Sequence, residues 1–220
     1  MSKRTVYIKK LTMLALSVSL YVVSGLYIKI NIPPVPFSTL TLFCMLSAIL
    51  LGKYLGPLSV IIYVAMGLSG LPIFSKGLGG PMYVFQPSFG YLLGFIISSF
   101  VVGLFTERIK DNKEIVQEKL DVETNKFKKG LLKVYYSPIT KRLFSCIIGL
   151  IIVYAVGVIY FVLMQTFYFG NGVDIGKVMV SFVAIFIPSD FMWCVLASVI
   201  SGKIIKALRL NYWKISDLFW

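Results

Sequence analysis

Histidine is entirely absent from this 220-residue sequence, and only nine residues are acidic. Without histidine the chain lacks the commonest general base and metal ligand, so Ser-His or Cys-His catalysis within it is excluded. The sequence also has no Gly-x-x-x-x-Gly-Lys-Ser/Thr loop, so any ATP that is used must be hydrolysed by another protein. These absences argue against an enzyme, and we expect no cofactor.

Cysteine is rare and shows no functional spacing. Cys44, Cys146 and Cys194 each lie inside an apolar segment, far from one another in sequence. Neither a disulfide framework nor a zinc site is therefore predicted, and we expect no metal. Packing of three buried thiols is the simplest interpretation.

Apolar residues dominate what is present. The sequence is 58% hydrophobic and 14% charged, with a mean hydropathy of +0.86, which is typical of a membrane protein. A net charge of +13 would suggest nucleic acid as the partner of a soluble protein, but here the basic residues flank hydrophobic runs. We therefore assign them to orientation in a lipid bilayer and expect no nucleic-acid partner.

Six apolar runs predict an all-α membrane protein with six transmembrane helices in a single domain, residues 1–220. The runs are residues 11–28, 39–51, 58–68, 91–105, 143–164 and 178–200. The first also imitates a secretory signal, but the apolar segments that follow favour a retained span. The second and third are shorter than the ~20 residues that cross a bilayer, so length alone permits a re-entrant pair. Residues 107–133 hold six acidic and eight basic residues and are predicted to be a charged cytoplasmic insert between helices four and five.

The distribution of basic residues supports six spans. With six helices, 19 of the 22 lysines and arginines fall on one side, and Lys29, Lys76 and Lys177 fall on the other. Because cytoplasmic loops carry the excess of positive charge, both termini are predicted to be cytoplasmic. Three connections then face outward: the proline-rich residues 31–39, the glycine-rich stretch of residues 70–95, and residues 165–177.

The glycine-rich connection suggests either an ordinary loop or a lid over a pocket. Gly77, Gly79 and Gly80 permit backbone conformations with positive φ and close approach of a ligand. Prolines on both sides exclude a continuous helix. We favour the lid, because the outer side also carries a candidate binding group.

Asp190 is that candidate, as it is the acidic residue that lies inside an apolar run. A carboxylate there costs ~2.5–3.5 kcal/mol to insert, so it should face the protein interior and have a partner. No lysine or arginine occurs in the same half of any predicted span. An acceptor-only carboxylate suits paired N–H donors on a neutral ligand, such as a urea-like group.

Further polar and aromatic residues near the outer ends of the helices form a candidate site. Small-molecule pockets are mostly apolar with a few placed polar groups, and this set has that character. Its members are Gln86, Ser88 and Tyr91 around the start of helix four, and Tyr154 and Trp193 as an aromatic wall. On helix one, Ala15 and Ser19 have the small-xxx-small spacing that lets another helix approach closely.

Several motifs, in order and at matching spacing, resemble the BioY family, the biotin-binding S components of energy-coupling factor (ECF) transporters. They cover nearly the whole chain outside the charged insert. They are Pro34-Val35-Pro36-Phe37, Gly70-Leu71-Pro72-Ile73-Phe74, Gly77-x-Gly79-Gly80, Pro87-Ser88-x-Gly90-Tyr91 and Ile187-Pro188-Ser189-Asp190. The resemblance implies a six-helix protein of the bacterial cell membrane that binds a vitamin from outside, with Phe37 and Ser38 in the binding region. It also implies a transmembrane coupling protein, which would dock on Ala15 and Ser19, and two ATPase subunits.

The sequence departs from the family pattern at two positions. Leu40 stands where the family has a glutamine, and Trp193 stands where it has a lysine that serves biotin recognition. Lys76 or Lys177 would replace that cation if an outer loop folds inward. The open alternatives are a paralogue that binds another small vitamin, a partner-binding membrane protein with a vestigial pocket, and a membrane-embedded lipid enzyme.

Overall fold

The computed structural model is a bundle of α-helices, and it describes residues 3–27, 29–30, 37–108, 137–168, 176, 178 and 180–207. The helices are α1 (Lys3–Leu26), α2 (Leu40–Leu68), α3 (Phe89–Arg108), α4 (Pro138–Leu163) and α5 (Ile187–Ala207). Two-residue strands, β1 (Lys29–Ile30) and β2 (Phe37–Ser38), pair antiparallel between α1 and α2. The prediction of an all-α membrane protein is thus confirmed.

Four helical stretches in the described part of the chain are long and apolar enough to cross a membrane. They are Tyr7–Leu26, Leu40–Leu68, Phe89–Glu107 and Pro138–Tyr168. Helix α5 has 21 residues, which is also about the length that spans the hydrocarbon core, although its first turn holds a carboxylate and its last turn holds a lysine.

Helix α2 is broken at Gly52, where φ is 78° and ψ is −170°. The two halves fold back on each other, because a Cβ atom added to Gly56 would lie 3.1 Å from the Cα atom of Ala48. In a continuous helix these two residues would be about 12 Å apart. The break falls inside the Gly-Lys-Tyr-Leu-Gly-Pro turn that separates the second and third apolar runs of the sequence.

Glycines bring α3 and α4 into close contact. A Cβ atom on Gly94 would lie 2.9 Å from the Cα atom of Val153, and one on Gly90 would lie 2.4 Å from the Cβ atom of Tyr160. This small-xxx-small face is the device that membrane helices use for tight packing. Helix α3 also packs on α2, α5 packs on α2 and α4, and α1 packs on α2.

The three cysteines are fully buried and free in the core of this bundle. The thiol of Cys44, from α2, contacts the Ser99 hydroxyl of α3 at 3.1 Å. The expectation that the cysteines are packing residues agrees with this placement. Among the described residues no group of His, Cys, Asp or Glu is arranged to hold a metal.

Two helix boundaries can be compared with the sequence expectation. A span from Val178 with an interruption near Pro188 was expected, and the structure has a short π-helical segment, Val180–Ala184, followed by a turn and then by α5 from Ile187. Proline is tolerated in the first turn of a helix, where its missing N–H would have no partner, so Pro188 lies in the first turn of α5, just after the break. Helix α3 continues to Arg108, so Glu107 belongs to it and not to the insert. The rest of the predicted insert, residues 109–133, lies outside the described residues.

Candidate functional site

The centre of the candidate site is the carboxylate of Asp190, in the first turn of α5. The phenol of Tyr154, on α4, donates a hydrogen bond to Asp190 Oδ2 at 2.6 Å. The hydroxyl of Thr41, a buried residue at the start of α2, also hydrogen-bonds the carboxylate. Three helices therefore meet at one partly buried acidic group.

The ring of Tyr91 adds a fourth helix to this cluster. It packs edge-on against Tyr154, with 6.3 Å between ring centroids, and it lies close enough to Asp190 to interact electrostatically. The close contact depends on Gly157, because a Cβ atom there would lie 2.8 Å from the Tyr91 ring. The structure thus brings together three of the residues selected from the sequence: Asp190, Tyr91 and Tyr154.

Three further candidate residues, Trp193 on α5 and Ser88 and Gln86 just before α3, have other surroundings. Trp193 is partly buried, one turn along α5 from Asp190, and packs against the hydrophobic core. Ser88 pairs with the hydroxyl of Tyr83 at 2.9 Å, and the Gln86 side chain is exposed. Ser88 therefore supports the loop before α3.

Thr41 was missed by the sequence analysis. Its hydroxyl lies in an otherwise apolar helix start, and a single threonine in a membrane helix gives no signal of its own. Only the packing of α5 against α2 brings it to the carboxylate.

The glycine-rich connection is an ordered loop with two short 3₁₀ helices, Ser75–Gly77 and Pro81–Phe85. Gly77 and Gly80 have positive φ values of 69° and 93°, as expected. Gly79 has another reason to be glycine, since a Cβ atom there would lie 2.2 Å from the carbonyl oxygen of Leu71.

Aromatic side chains attach this loop to the bundle. Phe74 is 1% exposed and packs against Tyr83, with 4.4 Å between ring centroids. The hydroxyl of Tyr63 donates to the carbonyl of Ile73 at 3.1 Å, and that of Tyr160 donates to the carbonyl of Val84. Burial raises the pKa of the Tyr83 phenol. The loop therefore covers the end of the bundle as a docked cap.

The loop and Asp190 lie at the same end of the bundle. Val84, in the loop, is bonded to Tyr160 near the end of α4, and Thr41, at the start of α2, is bonded to Asp190 at the start of α5. The opposite end carries charged residues, where Lys53 Nζ lies 3.4 Å from Glu107 Oε2.

Some of the predicted site residues lie outside the described residues. The backbone of Phe37 and Ser38 forms β2, but their side chains are not among those described. The same holds for the side chain of Lys76 and for the whole of Lys177. The expectation that either lysine replaces the missing cation therefore stays a prediction.

The predicted docking face of α1 is open in the described structure. Ala15 and Ser19 are both exposed, and the Ser19 hydroxyl is satisfied within the helix by the Ala15 carbonyl at 3.0 Å. Leu16, beside them, is 59% exposed. In the described part of the chain, this face of small and apolar residues is not covered by another helix.

These features define a class of protein: a multi-pass helical membrane protein with a partly buried carboxylate, bonded by hydroxyl groups, at the end of its bundle that carries the docked loop. Comparison with known proteins specifies it further. The model of the BioY family matches residues 1–210. The chain belongs to the BioY family.

Named relatives and a solved structure agree with this assignment. The chain is 32% identical to "Probable biotin transporter BioY" of Lysinibacillus sphaericus over 90% of this chain and 88% of that protein. It is 27% identical to "Biotin transporter BioY" of Rhizobium etli over 93% and 95%, respectively. With "Biotin transporter BioY" of Thermotoga maritima it shares 45% identity, over 40% of this chain and 52% of that one.

The structural comparison extends the similarity to the fold. The fold matches a crystal structure described as the S-component for biotin from an ECF-type ABC transporter. The match includes 94% of this chain and 95% of that one. The TM-score is 0.66 at 25% sequence identity. The resemblance identified from the motifs is therefore confirmed at the level of family and fold.

Proposed function

We propose that this protein is the substrate-binding membrane subunit of an ECF-type uptake transporter and that its substrate is biotin. The single observation that carries the proposal is the Asp190 carboxylate, held by hydroxyl groups under a docked loop in a chain of the BioY family. The relatives named as biotin transporters and the biotin S-component of matching fold support it.

The headgroup of biotin suits the acceptor. Its ureido ring presents two N–H donors, and an ionised carboxylate has lone pairs for both. The apolar rings of Tyr91 and Tyr154 would face the remainder of the bicyclic system. Trp193 replaces the lysine of the family pattern. Recognition of biotin would therefore rest on its own neutral N–H donors and on apolar contact with the protein.

The partners of the chain follow from the same assignment. We infer that the exposed small-residue face of Ala15 and Ser19 docks on a transmembrane coupling protein and that two ATPase subunits supply the energy. The loaded subunit would then reorient against its coupling protein. Such a subunit is a transport component and carries out no catalysis itself.

We infer six membrane crossings, with both termini cytoplasmic in the bacterial cell membrane. The break at Gly52 and the contact between Ala48 and Gly56 support two crossings by α2, with its turn at the charged end of the bundle. The distribution of basic residues supports the orientation.

Mass spectrometry of small molecules that copurify with the protein tests the substrate assignment. We expect biotin to be released from wild-type protein on denaturation and to be absent from an Asp190→Asn preparation. Stoichiometric recovery of a different vitamin, with no biotin, would overturn the assignment of substrate while leaving the transport role.

A further inference from the structure

The carboxylate of Asp190 is held by two hydroxyl groups that come from two other helices. Tyr154 Oη lies 2.6 Å from Asp190 Oδ2, and the Thr41 hydroxyl bonds the same carboxylate. Because α2, α4 and α5 each supply one of the three groups, the position of the carboxylate depends on all three helices. Rotation of the Asp190 side chain would break both hydrogen bonds.

The hydroxyls leave part of the acceptor capacity of Asp190 unused. An ionised carboxylate has about four lone-pair positions, and the two hydroxyls take two of them. A tyrosine or threonine hydroxyl carries a single hydrogen, so neither can satisfy a second position. With these two donors bound, the lone-pair count leaves two acceptor positions of the carboxylate for a ligand.

Neutral hydroxyl groups stabilise the Asp190 carboxylate in place of a cationic side chain. Asp190 lies in the first turn of α5, where the helix dipole favours a negative charge. The residue one turn further along α5 is Trp193, whose indole carries no charge. The hydroxyls of Thr41 and Tyr154 supplement the dipole and add directional contacts.

We propose that Thr41 and Tyr154 are positioning residues of the binding site, which orient Asp190 so that its two remaining acceptor positions face a pair of N–H donors on the ligand. This inference rests on the proposed function for the identity of the ligand. It makes Thr41 and Tyr154 determinants of specificity, because a ligand without those N–H groups would leave a desolvated carboxylate without partners.

Equilibrium binding of two probes to the purified full chain tests the proposal. The probes are biotin and a biotin analogue with both ureido nitrogens methylated, which has the same tail but no N–H donors. The variants are Tyr154→Phe, Thr41→Val and Thr41→Ser, with Tyr54→Phe as a tyrosine control at the opposite end of the bundle. A charge-assisted hydrogen bond is worth enough that Tyr154→Phe and Thr41→Val should each weaken biotin binding by about tenfold or more.

The selectivity between the two probes separates positioning from general damage. We expect Tyr154→Phe and Thr41→Val to reduce the preference for biotin over the methylated analogue, and Thr41→Ser to restore it. An unchanged affinity for biotin, or an equal loss for both probes, would overturn the positioning role.

Infrared spectroscopy tests the positioning of Asp190 by Thr41 and Tyr154 without a ligand. The carboxyl band of Asp190 is identified by its loss in Asp190→Asn. It should shift in Tyr154→Phe and Thr41→Val and keep its wild-type frequency in Thr41→Ser and Tyr54→Phe. If wild-type protein fails to bind biotin, the proposed function fails, while an unshifted band in both hydroxyl variants would contradict positioning itself.

Discussion

At the scale of single residues, a buried phenol links α1 to both halves of α2. The hydroxyl of Tyr21 contacts those of Ser47 and Ser59, the latter at 2.9 Å, and these serines lie on the two halves of α2. Both serines also donate to carbonyls of their own helix, so they are satisfied locally. Tyr21 therefore gains more from this contact than the serines do, and it is 1% exposed.

Replacement of Tyr21 by phenylalanine removes only the hydroxyl. We expect a loss of about 1 kcal/mol in the free energy of unfolding, because a buried hydrogen bond contributes about that amount. Thermal unfolding of the purified protein in detergent measures it. In the double variant with Ser59→Ala the losses should be less than additive, and strict additivity would show that the two hydroxyls are not coupled.

The acidic group of the candidate site could be predicted from the sequence, whereas its hydrogen-bond partners could not. Asp190 could be found from the sequence because a lone carboxylate in an apolar run requires a partner. Its partners Tyr154 and Thr41 could not be assigned to it, since they come from helices 36 and 149 positions away and only tertiary packing defines their distance. Ser88 also carries a hydroxyl group, but that hydroxyl forms a hydrogen bond with Tyr83 in the loop.

At the scale of elements, the turn inside α2 depends on Gly52. Its φ of 78° and ψ of −170° lie in a region that only glycine occupies readily. A Cβ atom there would also lie 2.6 Å from Glu107 Oε1, which accepts a hydrogen bond from the Lys53 backbone N–H at 3.1 Å. Glu107 thus caps the turn, and both conformation and space exclude a side chain at position 52.

We predict that Gly52→Ala lowers the free energy of unfolding by about 1–3 kcal/mol, the cost of such a backbone conformation for a non-glycine residue. Gly202→Ala is the matched control. It lies within α5, where the one atom near the added methyl group is the end of the Arg142 side chain. The control should be neutral or slightly stabilising, because alanine favours helix formation. Equal effects of the two substitutions on the midpoint of thermal unfolding would contradict the role of the turn.

The elements themselves were predicted better than their ends. Apolar runs locate the helices because the bilayer requires them, and the glycine and proline of the α2 turn mark its break. A break was expected near Pro188, and it falls just before that residue because a proline that would break a helix interior is favoured in a first turn. Helix α3 extends past its apolar run because Glu107 finds a partner in Lys53.

At the scale of the whole molecule, the two different ends of the bundle allow its orientation in the membrane to be tested. The docked loop lies at one end, and the turn at Gly52 lies at the other. Met82 is 69% exposed in the loop, and Tyr54 is 50% exposed beside the turn. Cysteine substitutions at these two positions report on opposite sides of the membrane.

We expect a membrane-impermeant maleimide to label Met82→Cys in intact cells and Tyr54→Cys only after permeabilisation. The three native cysteines are fully buried, so wild-type protein serves as the unlabelled control. Labelling of Tyr54→Cys in intact cells would reverse the proposed orientation, and labelling of neither variant in either condition would contradict the exposure of these positions.

The central claim is that Asp190 binds biotin at the capped end of the bundle. Equilibrium binding of labelled biotin to purified wild-type protein and to Asp190→Asn tests it most directly. We predict saturable binding with one site per chain, weakened at least about tenfold by Asp190→Asn, because an amide replaces one acceptor oxygen with a donor group. Absence of saturable binding by the wild type, or equal affinities of the two proteins, would contradict the account.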